Sequence, residues 1–370
     1  MVELHYWVAF NRTPGVGAAK IRALIDHFGS LQAAWQADAA EWKAAGLDRR
    51  AIDSLRATRS TLDLDAELDR VAACGARVLT WDSPEYPPLL QAIPDAPPLL
   101  YAKGELRQAD RQWAVAIVGT RRATAYGRQA AEMLAGDLAR SGVTIVSGLA
   151  RGIDAAAHWA ALKAGGRTLG VMACGIDQVY PAEHARLAAQ IAERGALLTE
   201  TPVGSPPEAS NFPARNRIIS GLALAVIVVE AGEHSGALIT ADRALEQGRD
   251  VFAVPGGIFS RTSAGTNRLI LEGATLARSA EDVLEALNLR MVAQQAEAQA
   301  AITQDPIETA MLKTISHEPT HIDDIVRSMN MPVPQVSSVL AMMELKGLVR
   351  QVGGMNYVLA REGRAEYVVD

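Results

Sequence analysis

Short, largely apolar runs alternate with helix-spaced amphipathic ones through the middle of this chain. The apolar runs fall at 115–118, 143–146, 169–173, 197–199, 223–229 and 251–254. Amphipathic segments lie between them, centred near Met133, Ala157, Leu187, Ile218, Leu245 and Leu269. Strands without a polar face, joined by crossover helices, predict a mostly parallel sheet covered on both sides. Residues 111–289 therefore read as a doubly wound, Rossmann-like α/β domain, with ligands expected at the carboxyl ends of its strands.

The flanks follow other patterns. Residues 1–70 read as short helices, with Leu4, Trp7 and Val8 at helical spacing. The segment TPGVGAAKIRALIDHFGS resembles a helix-hairpin-helix (SAM-like) unit. In such a unit the amides of a Gly15–Gly17 turn, helped by Lys20, hold one phosphate. The other reading is a helical bundle that keeps the turn for packing, since only Arg12, Lys20 and Arg22 supply charge. Residues 71–110, rich in proline, read as an extended connector packed on the core; a strand at 77–80 interrupts it, and Leu99, Leu100 and Tyr101 need burial. Residues 290–305, RMVAQQAEAQAAITQD, lack a core stripe and read as a linker.

From 306 to 370 the pattern predicts a helix over 307–315, a second after a Thr320 cap, and a third over 334–346 stopped by Gly347. A hairpin follows around Gly353-Gly354. Three helices and a hairpin make a winged helix. Its third helix opens with Pro334, Gln335, Ser337 and Ser338 and carries no arginine, which favours protein contact or packing over base reading.

Composition narrows the classes. The 370 residues carry a formal net charge of −6, so nucleic-acid binding must rest on a local basic face. Cys74 and Cys174 form neither a disulfide framework nor a metal spacing, and both read as packing residues. No charged n-region with an apolar h-region opens the chain, and no apolar run reaches membrane-spanning length. A soluble cytoplasmic protein without metal or cofactor is the expectation.

Candidate chemistry gathers at the strand ends. The first strand runs into Gly119-Thr120-Arg121-Arg122, and a helix begins near Ala125. A dinucleotide turn would read G-x-G-x-x-G. Here two arginines fill the turn instead, which suits solvated phosphates such as those of a nucleic-acid backbone. After the second strand stand Ser147-Gly148-Leu149-Ala150-Arg151-Gly152-Ile153-Asp154, then His158. Arg151 offers a fork to phosphate. Asp154 reads as a helix cap or partner of Arg151, with a general base as the sharper alternative. His158 reads as packed, having no nucleophile beside it. Tyr180 and Pro181 follow the third strand. After the fourth comes TPVGSPPEASNFPARNRIISG, which sets Asn211 and Phe212 before Arg215, Asn216 and Arg217. An aromatic beside arginines is a stacking platform with phosphate contacts. A hydrophobic staple is the alternative role for Phe212. The fifth strand ends at Glu230, before the small-residue helix start 235–240.

Taken in order, GTRRATAYG, SGLARGIDAAAH, NFPARNRIISGL, EAGEHSGALITA and VPGG followed by GTNRLI resemble the DNA-processing protein A (DprA/Smf) family. The resemblance implies a non-enzymatic, homodimeric binder of single-stranded DNA. Such a protein protects incoming DNA in natural transformation and helps load RecA recombinase in place of single-strand-binding protein. Carried over by motif, the DNA contacts are Arg121; Ser147, Gly148 and Arg151; and Phe212, Arg215 and Arg217. With their neighbours Gly119, Thr120, Arg122, Gly152, Asn211 and Asn216 these form the candidate site, and Gly15, Gly17 and Lys20 an accessory one. One departure is His184, where the family commonly has Asn.

The competing readings are weaker. Phosphoribohydrolases on a related frame carry P-G-G-x-G-T-x-x-E, whereas here an insertion separates Gly257 from Gly265 and Glu272 comes too late. A nicotinamide dehydrogenase needs a second turn glycine and an acid closing the second strand, where Ser147 and Gly148 stand. An adaptor without a ligand would have no use for the arginine set.

Overall fold

Apolar runs buried on both faces need helices on both sides, and a computed structural model, describing residues 2–289, 306–312, 314–316, 319–345 and 348–359, supplies them. The chain divides into two units, Met1–Ala293 and Gln294–Asp370.

The strands of the first unit are β1 (Arg77–Thr80), β2 (Leu99–Gly104), β3 (Ala114–Val118), β4 (Thr144–Ser147), β5 (Thr168–Val171), β6 (Ala196–Thr199), β7 (Ala225–Val228), β8 (Asp250–Ala253) and β9 (Thr275–Leu276). They form one sheet in the order β1-β2-β6-β5-β4-β3-β7-β8-β9. Pairings from β6 through β9 are parallel, while β1–β2 and β2–β6 are antiparallel. Side chains alternate between faces. Val115, Ile117, Ile145 and Ile227 pack on the Ala125–Arg140 and Ile153–Lys163 helices. Ala116, Val118, Val146, Val226 and Val228 pack on Asn211–Gly221 and Gly236–Glu246. The chain leaves β3 on one side, passes through β4, β5 and β6, and returns to β7 on the other. That reversal opens the crevice expected of a doubly wound sheet.

Two readings of the flanks change. The 71–110 segment is more than a connector, because its β2 continues the sheet beyond β6 with Tyr101 opposite Thr199 and Ala102 opposite Leu198. Leu99, Leu100 and Tyr101 are buried as expected. Nor does 1–70 stand apart. Its helices share one apolar core with Leu99, Tyr101, Leu187, Ile191 and Leu197. Arg12 reaches across to the Val203 carbonyl (2.6 Å) while paired with Glu67 (2.7 Å).

In the second unit the helices Pro306–Leu312, Ile322–Met329 and Val333–Leu345 surround a small sheet. Its strands β10 (Thr320–His321), β11 (Val349–Gln351) and β12 (Asn356–Leu359) run in the order β10-β12-β11. Met311, Ile325, Val336, Leu340 and Tyr357 form its core, a winged helix. His321, not Thr320, caps the second helix, accepting from the Asp323 amide. The linker 290–305 and the Gly347 stop lie outside the described residues.

One buried charge ties the sheet to its approach. Asp110 accepts from Thr144 Oγ1 (2.7 Å) and from Arg167 (2.6 and 2.8 Å), and Arg167 also donates to the carbonyls of Glu105 and Arg194. Removing one partner of a buried pair costs about 3–5 kcal/mol. Arg167 keeps a solvated edge at 17% exposure, which lowers the figure. Asp110→Asn is expected to lower the unfolding free energy by about 2 kcal/mol with an unchanged urea slope. An unshifted urea midpoint would show that the pair is not what holds this junction.

Candidate nucleic-acid interface

The β3 turn is shaped by Glu230, at the carboxyl end of β7. Thr120 donates its amide to the Glu230 carbonyl (2.7 Å), and the buried Glu230 carboxylate accepts from the Thr124 amide (2.9 Å) and Thr262 Oγ1 (2.5 Å). Thr124 in turn caps the Ala125–Arg140 helix. Held at both ends, the turn leaves Arg121 and Arg122 exposed to solvent.

The β4 turn is built around Gly148. Asp154 Oδ2 accepts from the amides of Gly148 (3.1 Å) and Ala150 (3.3 Å). Arg215 donates to the carbonyls of Gly148 and Val171, both at 2.5 Å. A Cβ at position 148 would collide with the Arg215 guanidinium, so the close approach requires glycine. Gly152, at φ 78°, turns the chain into the Ile153–Lys163 helix, while the non-glycine Leu149 sits at φ 57°. Burial pushes the Asp154 carboxyl above the usual carboxylate range against the pull of Arg215, and burial lowers Arg215 to about 10, still protonated at neutral pH.

This arrangement reassigns several residues. Ser147 is fully buried and donates to the Ile117 carbonyl (2.6 Å), and Gly148 is held from both sides. Neither is a surface contact. Arg151 does not pair with Asp154: it forms a two-pronged pair with Glu183 (2.7 and 2.6 Å). Asp154 holds the backbone amides of Gly148 and Ala150. His184, the departure from the family pattern, places Nδ1 2.8 Å from the Leu149 carbonyl.

Phe212 sits between the two turns. The Arg121 guanidinium lies 5.0 Å from its ring centroid and that of Arg215 6.0 Å. Tyr180 meets the ring edge-on at 5.7 Å. Arg121, Phe212 and Arg215 open on a pocket of about 240 Å³ to which Gly119, Asp154, Asn216 and Thr240 also contribute. The structure thus gathers Gly119, Arg121, Phe212, Arg215 and Asn216 into one place, with Thr120 and Asn211 beside them in the chain.

Arg217 is not among them. It grips both oxygens of Glu200 at 2.7 Å and the Asp95 carbonyl at 2.9 Å, with its side chain 13% exposed. Two positions apart on a helix, Arg215 and Arg217 point to different sides. Gly15, Gly17 and Lys20 line a separate pocket beside Arg217, where Lys20 is tied to Asp48 (2.5 Å). Arg122 and Gly152 line a neighbouring groove. The sequence reading missed Glu230 as the clamp and Glu183 as the partner of Arg151. The latter stands 32 residues away, beyond any local pattern.

Among the described residues no cluster of three or more His, Cys, Asp and Glu is placed to hold a metal, and no helix is long and apolar enough to cross a membrane. Cys174 is buried and Cys74 half-buried, both free.

Comparison with known proteins decides the family. The family described as DNA recombination-mediator protein A matches residues 77–288, and the DprA winged helix domain matches 295–355. The chain belongs to the DNA processing protein A family. It is 37% identical to Protein Smf of Synechocystis over 96% of this chain and 98% of that protein. To DNA processing protein DprA of Bacillus subtilis it is 46% identical over 61% of this chain and 77% of that protein. The X-ray structure of the Streptococcus pneumoniae family member superposes with a TM-score of 0.66 at 36% identity, over 76% of this chain and 97% of that one. A Helicobacter pylori structure, described for its unique single-stranded DNA binding mode, gives 0.52 at 31% identity, over 58% and 97%.

Beside this family member's pocket, His158 reports on burial. Thr168 Oγ1 donates to the Ile145 carbonyl (2.7 Å), so the 2.6 Å contact with His158 needs a proton on Nδ1. Burial pulls the imidazole pKa down to about 3. In the native state it stays neutral, whereas the unfolded chain takes up a proton below about pH 6.5. Stability therefore rises with pH through this window and is lost as pH falls. Between pH 6.5 and 5 the wild type is expected to lose about 2 kcal/mol more than His158→Asn, read from urea midpoints. Equal losses would show that the imidazole is solvated.

Proposed function

We propose that this chain binds single-stranded DNA, without catalysis, in the pocket at the carboxyl ends of β3, β4 and β7. Arg121 over Phe212 carries the reading, because it places a phosphate fork and a stacking face within one nucleotide's reach. Phosphate contacts fall to Arg121, Arg122 and the amides of the Gly119–Thr120 turn. A base stacks against Phe212 and Tyr180, beside Asn211 and Asn216. Arg215 supplies field from below, and Gly152 shapes the neighbouring wall. Stacking and backbone contacts tolerate any sequence.

The H. pylori relative, described for its single-stranded DNA binding, supports this reading. Asp154 and Glu230, the carboxylates that hold the two turns, are engaged by backbone amides, which favours binding over acid–base chemistry. Through the family resemblance the proposal extends to a homodimer acting in DNA processing during natural transformation. It would pass the strand to RecA in exchange with single-strand-binding protein.

Fluorescence anisotropy with labelled oligothymidylate across a salt series, with duplex DNA and ATP as competitors, tests the pocket. The expected result is salt-steep binding displaced by neither competitor. Arg121→Ala is expected to weaken it about tenfold or more and to reduce the log–log salt slope by about 0.7. Phe212→Ala is expected to cost about 1–3 kcal/mol. Both should leave the unfolding midpoint in place. Arg215→Ala is unsuitable, since it strips the buried Asp154 of its compensating charge. Displacement by ATP, or an Arg121→Ala,Phe212→Ala variant that binds normally, would overturn the proposal in favour of a nucleotide site.

A further inference from the structure

We propose that the DNA strand leaves the pocket along a second basic groove, which holds the phosphates adjoining the nucleotide at Arg121. The inference rests on the pocket being a single-strand site, and it assigns a further stretch of surface to that ligand.

The groove, about 650 Å³, lies along the Ala125–Arg140 and Ile153–Lys163 helices and shares Arg121 with the pocket. Arg122, Arg128, Lys163 and Arg186 contribute to its walls, all exposed, and none is ion-paired among the described residues. Exposed arginines elsewhere on this unit commonly have a carboxylate, as in Arg107–Glu105, Arg140–Asp137, Arg268–Glu272 and Arg278–Asp282. In the groove the one acid is Glu132. A cluster of unneutralised cations repels itself, and a polyanion removes that repulsion with release of counterions.

Two further features select a nucleic acid over an acidic peptide. The groove is continuous with the Phe212 pocket through Arg121. Its lining also holds half-buried Trp159, one turn before Lys163 on the same helix face, so a stacking surface lies next to a phosphate contact. The Ile153–Lys163 helix is about 16 Å long, room for several phosphates.

The full-length protein, wild type and with Arg128→Ala, Lys163→Ala and Arg186→Ala combined, is titrated with labelled oligothymidylates of about four and about twenty nucleotides. The expected result is that the triple variant binds the long strand about tenfold or more weaker, with a salt slope shallower by about 2, while the short one binds as in wild type. Unchanged affinity and slope for the long strand would overturn the groove and leave the pocket standing. Equal weakening for both lengths would also overturn it, showing a diffuse field rather than a track. Loss of labelled polyglutamate binding with DNA binding intact would assign the groove to an acidic protein. If the wild type binds neither strand, the pocket reading itself fails, and the groove falls with it.

Discussion

The site depends on one constraint, the clamping of Gly148 between two buried charges. Asp154 takes its amide and Arg215 its carbonyl. A lone buried charge costs several kcal/mol, and these two sit within one hydrogen-bonded residue of each other. The carboxylate is further satisfied by the Ala150 amide, and the guanidinium by the Val171 carbonyl. The clamp fixes the β4 turn, aims the start of the Ile153–Lys163 helix, and anchors the Asn211–Gly221 helix over the sheet. Phe212, three residues before Arg215, is thereby held where Arg121 can lie over it. The arginine that looks most like a ligand contact is thus chiefly the post on which the contacts stand.

The sheet was legible because strands buried on both faces cannot hide their apolar runs. β2 was not, since prolines crowd the approach to Leu99–Gly104 and its pairing partner β6 lies almost a hundred residues on. Turn sequences pointed to strand ends that the fold brings together around one pocket, yet partners depended on distant residues. Asp154 stood near Arg151 in sequence and so looked like its partner, while Glu183 holds that place in space. Arg217 was read as a contact beside Arg215, although helical spacing alone sets the two on different sides of the helix. Ser147 sits at the end of a strand whose every residue is buried, so its hydroxyl had to be satisfied inside.

The net charge of −6 sits with this basic face without contradiction. Exposed charges more than about 8–10 Å apart are largely screened at physiological salt. A polyanion approaching the β3 turn would therefore feel Arg121, Arg122, Arg128, Lys163 and Arg186 rather than the average of the molecule. Many other cations are cancelled locally, Lys20 by Asp48, Arg151 by Glu183 and Arg217 by Glu200. The sign of a site is set by which arginines lack partners, a property of folding rather than of composition.

Arg121 shows how such a residue is kept ready. A carboxylate would also order its long side chain, but it would neutralise the charge and have to be displaced by an incoming phosphate. The Phe212 ring orders the guanidinium through its π face at about 0.5–1 kcal/mol for an exposed pair, and leaves the charge and the donor edge free. The cost of immobilising the arginine is thus partly met before any ligand arrives.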